Sequence, residues 1–269
     1  MATADKPIFP DPRDSSADKP SSSTTSGPQI VFPDSGRFQV KDTKMFPFVC
    51  SGMLLIEFPN PEETYTGTGV LIAPEFVLTA AHNLWDGVKP RKLTYFPAVN
   101  GDVLPFEPVA YADFRVPELY KKMSPPPPNR EGNISDDTKY IYDYGLIRLQ
   151  RRLAIPFLDG YAASDRQLPD LKVRIAGYPG DKPPRTMWQS EGRLQPADSE
   201  HLLFYRISTF GGQSGAALMT EVDGGLRVVG VHIAGSPKLD CNFAVRLNPD
   251  VLNEIRTWMK EMGDIPASK

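Results

Sequence analysis

Short apolar runs separated by turn residues fill the chain from Phe46 onward. The runs are rich in Val, Ile, Leu, Phe and Tyr, and Gly, Pro and Asn cluster between them, which predicts about twelve β-strands. The predicted strands are Val49–Phe58, Gly69–Ile72, Phe76–Thr79, Lys92–Phe96, Val103–Tyr111, Tyr144–Leu149, Leu171–Ala176, Met187–Arg193, Leu202–Ile207, Ala216–Met219, Arg227–Ile233 and Phe243–Leu247. So many short strands favour an all-β fold built as two barrels or a sandwich.

One helix is predicted, at the end of the chain. Asn248 can cap its amino terminus, and Pro249 suits the first helical position because its missing N–H is not needed there. The apolar residues that follow recur at helical spacing: Val251, Leu252, Ile255, Trp258 and Met259. This spacing indicates an amphipathic helix that packs on the body of the protein.

Two segments differ from the strand pattern. Residues 1–29 are rich in Pro, Ser, Thr and Asp, and such a composition predicts a flexible leader, which could be a linker, a tail or a propeptide. The segment Pro117–Lys139 contains four consecutive prolines and several charges, so we expect an exposed loop with polyproline character.

The composition narrows the possible functions. The chain has 269 residues, 40% of them hydrophobic and 23% charged, as in a folded globular protein. A net charge of −3 disfavours nucleic acid as a partner. No apolar run reaches the ~20 residues of a membrane span, and residues 1–20 lack the apolar core of a signal peptide. Cys50 and Cys241 could form one bridge or remain two buried thiols.

Ser214 is the candidate nucleophile. It lies in the segment Gly-Gly-Gln-Ser-Gly at 211–215. Glycines permit a sharp turn that presents a serine hydroxyl and leaves successive backbone N–H groups free to bind an oxyanion. The alternative is an ordinary glycine turn with a solvent-facing serine.

His82 and Asp143 are the residues that could activate this serine. His82 follows the predicted strand Phe76–Thr79, and Asp143 precedes the predicted strand Tyr144–Leu149. A buried carboxylate needs hydrogen-bond donors, and an imidazole N–H is a natural one. The alternatives are a structural histidine and a turn aspartate.

The order His82, Asp143, Ser214 resembles that of the trypsin/chymotrypsin-like serine proteases, whereas an α/β-hydrolase would need the order Ser, Asp, His. The segments that carry the resemblance are Thr-Ala-Ala-His at 79–82, Asp-Tyr-Gly-Leu-Ile-Arg-Leu at 143–149 and Gly-Gln-Ser-Gly at 212–215. The resemblance implies a double six-stranded antiparallel β-barrel with a C-terminal helix, formed by residues 30–269. It also implies an acyl-enzyme mechanism, in which the Gly212 and Ser214 N–H groups form the oxyanion hole.

A narrower resemblance is to the glutamyl endopeptidases and exfoliative toxins, carried by segments 30–43, 208–214 and 230–235. It implies that Thr209 and His232 line the pocket for the residue before the scissile bond, where both could donate to a Glu or Asp carboxylate and an imidazolium would add charge. It further implies that cleavage before Ile30 would supply an α-ammonium to that pocket. Ser208 stands where trypsins place an acid, which disfavours Arg or Lys substrates.

Two other functions remain open from the sequence. One is a serine protease with small apolar specificity, and the other is a catalytically silent binding protein on a protease scaffold. We expect no cofactor, and no metal site of histidines, because the three histidines are dispersed; a calcium held by loop carboxylates stays open. His201 matches no motif and is expected at the surface. The expected partners are protein or peptide substrates, without nucleic acid or membrane, and the expected state is a monomer. The resemblance implies secretion.

Overall fold

A computed structural model describes residues 29–59, 64–123, 139–196 and 199–263. These ranges contain thirteen strands: β1 Phe38–Gln39, β2 Ser51–Glu57, β3 Thr64–Ala73, β4 Phe76–Thr79, β5 Lys92–Pro97, β6 Val109–Arg115, β7 Gly145–Leu149, β8 Lys172–Gly177, β9 Trp188–Gln195, β10 Leu202–Tyr205, β11 Ala217–Val222, β12 Gly225–Ser236 and β13 Cys241–Arg246. They also contain two α-helices, α1 Glu118–Lys122 and α2 Pro249–Gly263.

The first barrel closes in the order β2-β3-β4-β7-β6-β5, with every pair antiparallel. The side chains that alternate along β2 show how the interior of this barrel is filled. Leu54 and Ile56 join the apolar cluster inside this barrel, whereas Met53 and Leu55 join a second cluster that continues into the other barrel. Both faces of β2 are therefore buried, which explains its uninterrupted apolar run.

The second barrel closes in the order β9-β10-β13-β12-β11-β8, because β8 also pairs with β9. Strand β1 adds to the outside of β9. The interior is filled by residues from several of the six strands, among them Ile175, Leu203, Tyr205, Leu218 and Val229. The predicted double six-stranded barrel is confirmed.

The C-terminal helix begins as the sequence predicts. Asn248 Oδ1 accepts a hydrogen bond of 2.9 Å from the Val251 N–H, and Pro249 is the first helical residue. The ring of Trp258 stacks on Tyr144 with centroids 5.8 Å apart, which holds α2 against the start of β7. None of the helices that the structure describes is long and apolar enough to cross a bilayer.

Several local expectations were wrong. The strand predicted at Val103–Tyr111 lies at Val109–Arg115, because Pro105 and Pro108 cannot donate to a ladder, and Val103 is 63% exposed. The loop expected at Pro117–Lys139 begins with α1 and ends with the buried Lys139. Its residues 124–138, and 1–28 of the expected leader, lie outside the described ranges.

Both cysteines are free. Cys50 and Cys241 are buried as separate thiols, which resolves the choice that the sequence left open. Burial raises the pKa of the Cys50 thiol to about 12, so this side chain behaves as a small apolar group.

Candidate active site

His82 and Asp143 meet because of one strand pairing in the first barrel. Strand β4 pairs with β7 so that Thr79 lies opposite Gly145. His82 comes three residues after Thr79, in a 3₁₀ turn at Ala81–Asn83, and Asp143 comes two residues before Gly145. The end of one strand and the beginning of the other therefore bring the two side chains together.

Asp143 accepts two hydrogen bonds from His82. Its Oδ2 lies 2.8 Å from the ring Nδ1, and its Oδ1 accepts from the His82 backbone N–H at 3.0 Å. Both residues are buried, at 8% and 3% exposure. An ionised carboxylate only accepts, so Nδ1 carries the hydrogen and Nε2 of a neutral ring presents a lone pair. Within the described ranges, that Nε2 has no hydrogen-bond partner.

Lys139 adds a positive charge near this pair that sequence reasoning missed. It is only 8% exposed, and its ammonium lies 5.5 Å from the centre of the Tyr120 ring. Burial lowers the pKa of Lys139, while the negative charges of Asp143 and Asp86 act in the opposite direction.

Ser214 comes from the second barrel, in the loop between β10 and β11. Gly215 after it has φ +89°, and a Cβ at that position would lie 2.1 Å from Thr79 Oγ1 and 2.2 Å from the Thr68 carbonyl oxygen. The Ser214 carbonyl accepts from the Thr68 N–H at 2.9 Å and from Asn83 Nδ2 at 3.0 Å. These two bonds tie the serine loop to the first barrel beside His82.

Gly212, which is predicted to form the oxyanion hole with Ser214, lies in the turn before the serine. Gly212 has φ +95°, and a Cβ there would lie 2.4 Å from the Tyr178 carbonyl oxygen, so only glycine fits. The Gly212 carbonyl accepts from Thr68 Oγ1 at 2.8 Å, which fixes this peptide. Among the described residues, the N–H groups of Gly212 and Ser214 donate to no protein acceptor.

The two predicted pocket residues lie next to this loop. The His232 carbonyl accepts from the Gly215 N–H at 2.7 Å, and the His232 N–H donates to the Ala216 carbonyl at 2.8 Å. Thr209 and His232 are both fully buried. In the part of the chain that the structure describes, Thr209 Oγ1 and His232 Nε2 are buried without a partner, as is Nε2 of Gln213, which sequence reasoning did not single out.

His232 is neutral in this environment. Burial, and then electrostatic interaction with His82, lower the pKa of the His232 imidazole to about 3, while a backbone hydrogen bond with Phe243 and the charge of Asp143 act in the opposite direction. The other ring nitrogen, Nδ1, lies 2.6 Å from the Tyr205 hydroxyl oxygen. The imidazolium considered from the sequence is therefore not the form present at neutral pH.

Ile30 is held at the same pocket. Its N–H donates to Asn242 Oδ1 at 2.9 Å, and its carbonyl accepts from Asn242 Nδ2 at 2.7 Å and from the Thr209 N–H at 3.0 Å. Asn242 is fully buried in β13, and nothing in its local sequence marks it as a site residue. The structure thus brings Ile30 and Thr209 together.

Gln29 reaches the candidate nucleophile itself. Its Nε2 donates to Ser214 Oγ at 2.9 Å, and its Oε1 is buried without a partner among the described residues. His201 does not belong to the site. It is half-buried, and its carbonyl accepts from the Arg246 N–H at 2.8 Å.

Residues 67–231 match the trypsin-like peptidase domain family, and this match contains His82, Asp143 and Ser214. The chain belongs to that family. The match confirms the assignment, made from three short motifs, to the trypsin-like serine endopeptidases.

The chain is also similar to individual proteins. It is 28% identical over 202 residues to a glutamyl endopeptidase of Bacillus licheniformis, covering 71% of this chain and 58% of that protein. It is 26% identical over 237 residues to a glutamyl endopeptidase of Staphylococcus aureus, covering 87% and 65%. A protein named extracellular metalloprotease, from Bacillus subtilis, is 27% identical over 239 residues, covering 87% and 71%. The chain thus spans between 58% and 71% of the length of these relatives.

A solved structure of a Glu endopeptidase in complex with MPD superposes with a TM-score of 0.70 at 24% identity, covering 86% of this chain and all of that one. The protease Anisep of Arthrobacter nicotinovorans superposes with a TM-score of 0.61 at 13% identity, covering 82% and 98%. These superpositions support the double-barrel fold. The sequence similarity to the two glutamyl endopeptidases confirms the narrower resemblance.

Proposed function

We propose that this protein is a serine endopeptidase that cleaves after Glu, and less well after Asp, through a Ser214-His82-Asp143 triad and an acyl-enzyme. The observation that carries the proposal is the buried pair of hydrogen bonds from His82 to Asp143, placed beside the Ser214 loop. The proposed substrates are proteins or peptides. The proposed state is a monomer acting outside the cell, where the name of the Bacillus subtilis relative places that protein.

In the proposed mechanism, His82 Nε2 removes the proton from Ser214 Oγ as the oxygen attacks the scissile carbonyl, and returns that proton to the leaving amine. Asp143 holds the ring in the required tautomer and stabilises the imidazolium. The N–H groups of Gly212 and Ser214 bind the developing oxyanion, and donors of this kind contribute about 3–4 kcal/mol each to the rate where they have been measured.

The specificity follows from the donors left free in the pocket. Thr209 Oγ1 is a buried hydroxyl, and His232 Nε2 is a buried ring nitrogen, both without a partner among the described residues. An unpaired buried polar atom costs about 1–3 kcal/mol, so a substrate group that pairs with both gains affinity. A glutamate carboxylate can accept from both, whereas a small apolar side chain would leave them unpaired.

We propose further that residues 1–29 are removed by cleavage before Ile30. The new α-ammonium would replace the Ile30 amide N–H at Asn242 Oδ1, where the backbone is already held. An α-amino group has a pKa near ~7.7–8, so it is mostly positive at neutral pH and suits a substrate carboxylate. Amino-terminal sequencing of the active form tests this step, and a fully active form that still begins at Met1 would contradict it.

A panel of peptides that differ only at the residue before the scissile bond tests the proposed function. We expect kcat/KM for Glu to exceed that for Gln by at least about 100-fold in the processed form, because a site built for a carboxylate leaves its donors mispaired with other groups. Ser214→Ala should abolish cleavage and labelling by a fluorophosphonate. A preference for Ala would support small apolar specificity, and a wild-type protein inert to the probe would support a silent binding protein.

A further inference from the structure

We propose that Tyr205 is a positioning residue for substrate specificity, because its hydroxyl fixes which nitrogen of His232 carries the hydrogen. The inference rests on the proposed preference for Glu. Tyr205 lies in β10, with its side chain inside the second barrel, and its hydroxyl oxygen lies 2.6 Å from His232 Nδ1.

Two arrangements of hydrogens fit this distance. If Tyr205 donates, Nδ1 accepts, and the ring hydrogen sits on Nε2. If Nδ1 donates, the phenol hydrogen has no acceptor among the described residues, although both residues are fully buried. A buried donor without an acceptor is costly, so the first arrangement is favoured.

The Tyr205 hydroxyl is also available as a hydrogen-bond donor over the whole working pH range. Burial raises the pKa of Tyr205 well above its ordinary value of 10, so the hydroxyl keeps its hydrogen at any working pH. For the neutral His232 ring, the remaining question is which of the two nitrogens carries the hydrogen. With Nδ1 occupied as an acceptor, Nε2–H becomes the donor that is left for a ligand.

This tautomer has a direct consequence for recognition. An Nε2–H can donate to a carboxylate oxygen, whereas an Nε2 lone pair would repel it. Tyr205 pairs directly with Asn242 across the β10–β13 ladder, and Asn242 holds Ile30. The side chains of an opposed pair lie on one face of a sheet, so one pair of strands positions both the imidazole donor and the amino-terminal segment.

The test begins with the wild-type protein. It has three histidines, so ¹⁵N-histidine labelling gives a spectrum that can be assigned with single substitutions. We expect the nitrogen shifts of His232 to show hydrogen on Nε2. A spectrum that shows hydrogen on Nδ1 overturns the inference whatever the substrate preference of the enzyme.

The variant Tyr205→Phe removes only the hydroxyl. We expect kcat/KM for a Glu peptide to fall about 10-fold or more, while the value for the matched Gln peptide and the rate of fluorophosphonate labelling change less than about 3-fold. In a His232→Leu background, the same change should have no effect on the Glu-to-Gln ratio. Tyr95→Phe is the matched control, since Tyr95 is equally buried and donates to the Cys50 carbonyl at 3.2 Å, in the first barrel.

The outcomes separate the two proposals. A wild-type enzyme without any preference for Glu over Gln contradicts the proposed function, and the tautomer measurement still decides the role of Tyr205. A selective wild-type enzyme whose Glu-to-Gln ratio survives Tyr205→Phe contradicts the role of Tyr205 alone. A fall of the same size for every substrate would also contradict it, because that result indicates a general loss of structure.

A second, independent contact leads us to infer that Gln29 blocks the active site while the chain is uncleaved. Its Nε2 donates to Ser214 Oγ at 2.9 Å, and Ser214 Oγ is the atom that must attack a substrate. His82 Nε2 meanwhile lacks a partner within the described ranges, so the nucleophile is bonded to Gln29 instead of its base. Glutamine is the neutral isostere of the glutamate that the pocket is proposed to bind.

Gln29 is held in place by its neighbour. Ile30 makes three backbone hydrogen bonds to Asn242 and Thr209, and the Phe32 N–H donates to Ser208 Oγ at 2.8 Å. These bonds hold the backbone next to Gln29, which keeps the Gln29 side chain within reach of Ser214. Cleavage after Gln29 would release this side chain and leave Ile30 in position.

The test uses the full chain, with its intact mass measured before and after the assay. We expect Gln29→Ala to raise the rate of fluorophosphonate labelling of Ser214 about 10-fold or more, because the probe needs no carboxylate pocket. Gln39→Ala is the control, since Gln39 is exposed in β1. Equal labelling of Gln29→Ala and wild-type full chains, with the processed form labelled rapidly, overturns the inference. A processed form that resists the probe instead contradicts the proposed function.

Discussion

Replacing Asp143 by asparagine tests the geometry of the proposed triad with little change in shape. Asp143 accepts from the His82 ring at 2.8 Å and from its backbone N–H at 3.0 Å. An asparagine can keep the bond to the backbone through its carbonyl oxygen, but its NH₂ group then faces Nδ1. Nδ1 would have to accept, the ring hydrogen would move to Nε2, and His82 could no longer remove the proton from Ser214.

The expected loss in kcat is about 10⁴-fold, the size found for this change in the best-studied triad, which corresponds to about 5.5 kcal/mol of transition-state stabilisation. The assay is hydrolysis of a Glu peptide, together with the rate of fluorophosphonate labelling and a thermal melt. Asp159→Asn is the control, because Asp159 is exposed and forms an ion pair with Arg227 at 3.4 Å. Activity of Asp143→Asn within about 10-fold of wild type, with the fold intact, would refute the proposed role.

Three further predictions concern stability. Gly215→Ala should lower the free energy of unfolding by about 2–5 kcal/mol in a denaturant titration, because the residue has a positive φ and its new Cβ would overlap backbone atoms. Gly211→Ala is the control and should change that free energy far less, because the space around Gly211 is open. Asn248→Ala should cost about 1 kcal/mol through loss of the cap to Val251, read from the melting temperature. His232 has a folded pKa of about 3 against an ordinary 6.5, so the unfolded chain binds its proton first as pH falls. Stability should therefore decrease between about pH 6.5 and 3, by at most about 1.4 kcal/mol per pH unit for this group, and His232→Leu should flatten that decrease in pH-dependent melts.

The strands and the candidate triad residues could be predicted from local patterns, whereas the choice of two barrels over a sandwich and the roles of the three residues came from the resemblance to the trypsin-like proteases. The strands of both barrels are short apolar runs between turn residues, and their ends differ from prediction by a few residues in most cases. His82 and Asp143 each stand beside a strand end, and Ser214 stands between glycines that the turn requires. The prediction failed at β6. Apolar residues from Val103 onward suggested a strand, but Pro105 and Pro108 cannot donate to a ladder, and the strand begins at Val109.

The remaining parts of the site depend on contacts between residues far apart in the chain. Gln29 meets Ser214 across 185 residues, and Ile30 meets Asn242 across 212. Glutamine and asparagine are common surface residues, and no local pattern distinguishes one that forms a hydrogen bond to a residue far away in the chain. The same holds for Tyr205, which looks like any other inward-facing strand residue until the register places it against His232.

The neutral charge of the proposed pocket gives a physical reason for the proposed cleavage before Ile30. In that pocket, Thr209 and neutral His232 offer hydrogen bonds but no full charge, whereas the Asn242 side chain is already bonded to Ile30 and Ile207. Moving a carboxylate from water into a buried site without a countercharge is expensive. The Lys139 ammonium is buried and interacts electrostatically with Asp143 and Asp86, so it belongs to the surroundings of the triad. A cleavage before Ile30 would create a cation at a point where the backbone is already fixed and would remove the amide of Gln29 from Ser214. Cleavage of one peptide bond would thus control both the charge of the pocket and access to the nucleophile. An uncleaved chain would have neither the ammonium in the pocket nor an accessible Ser214 hydroxyl.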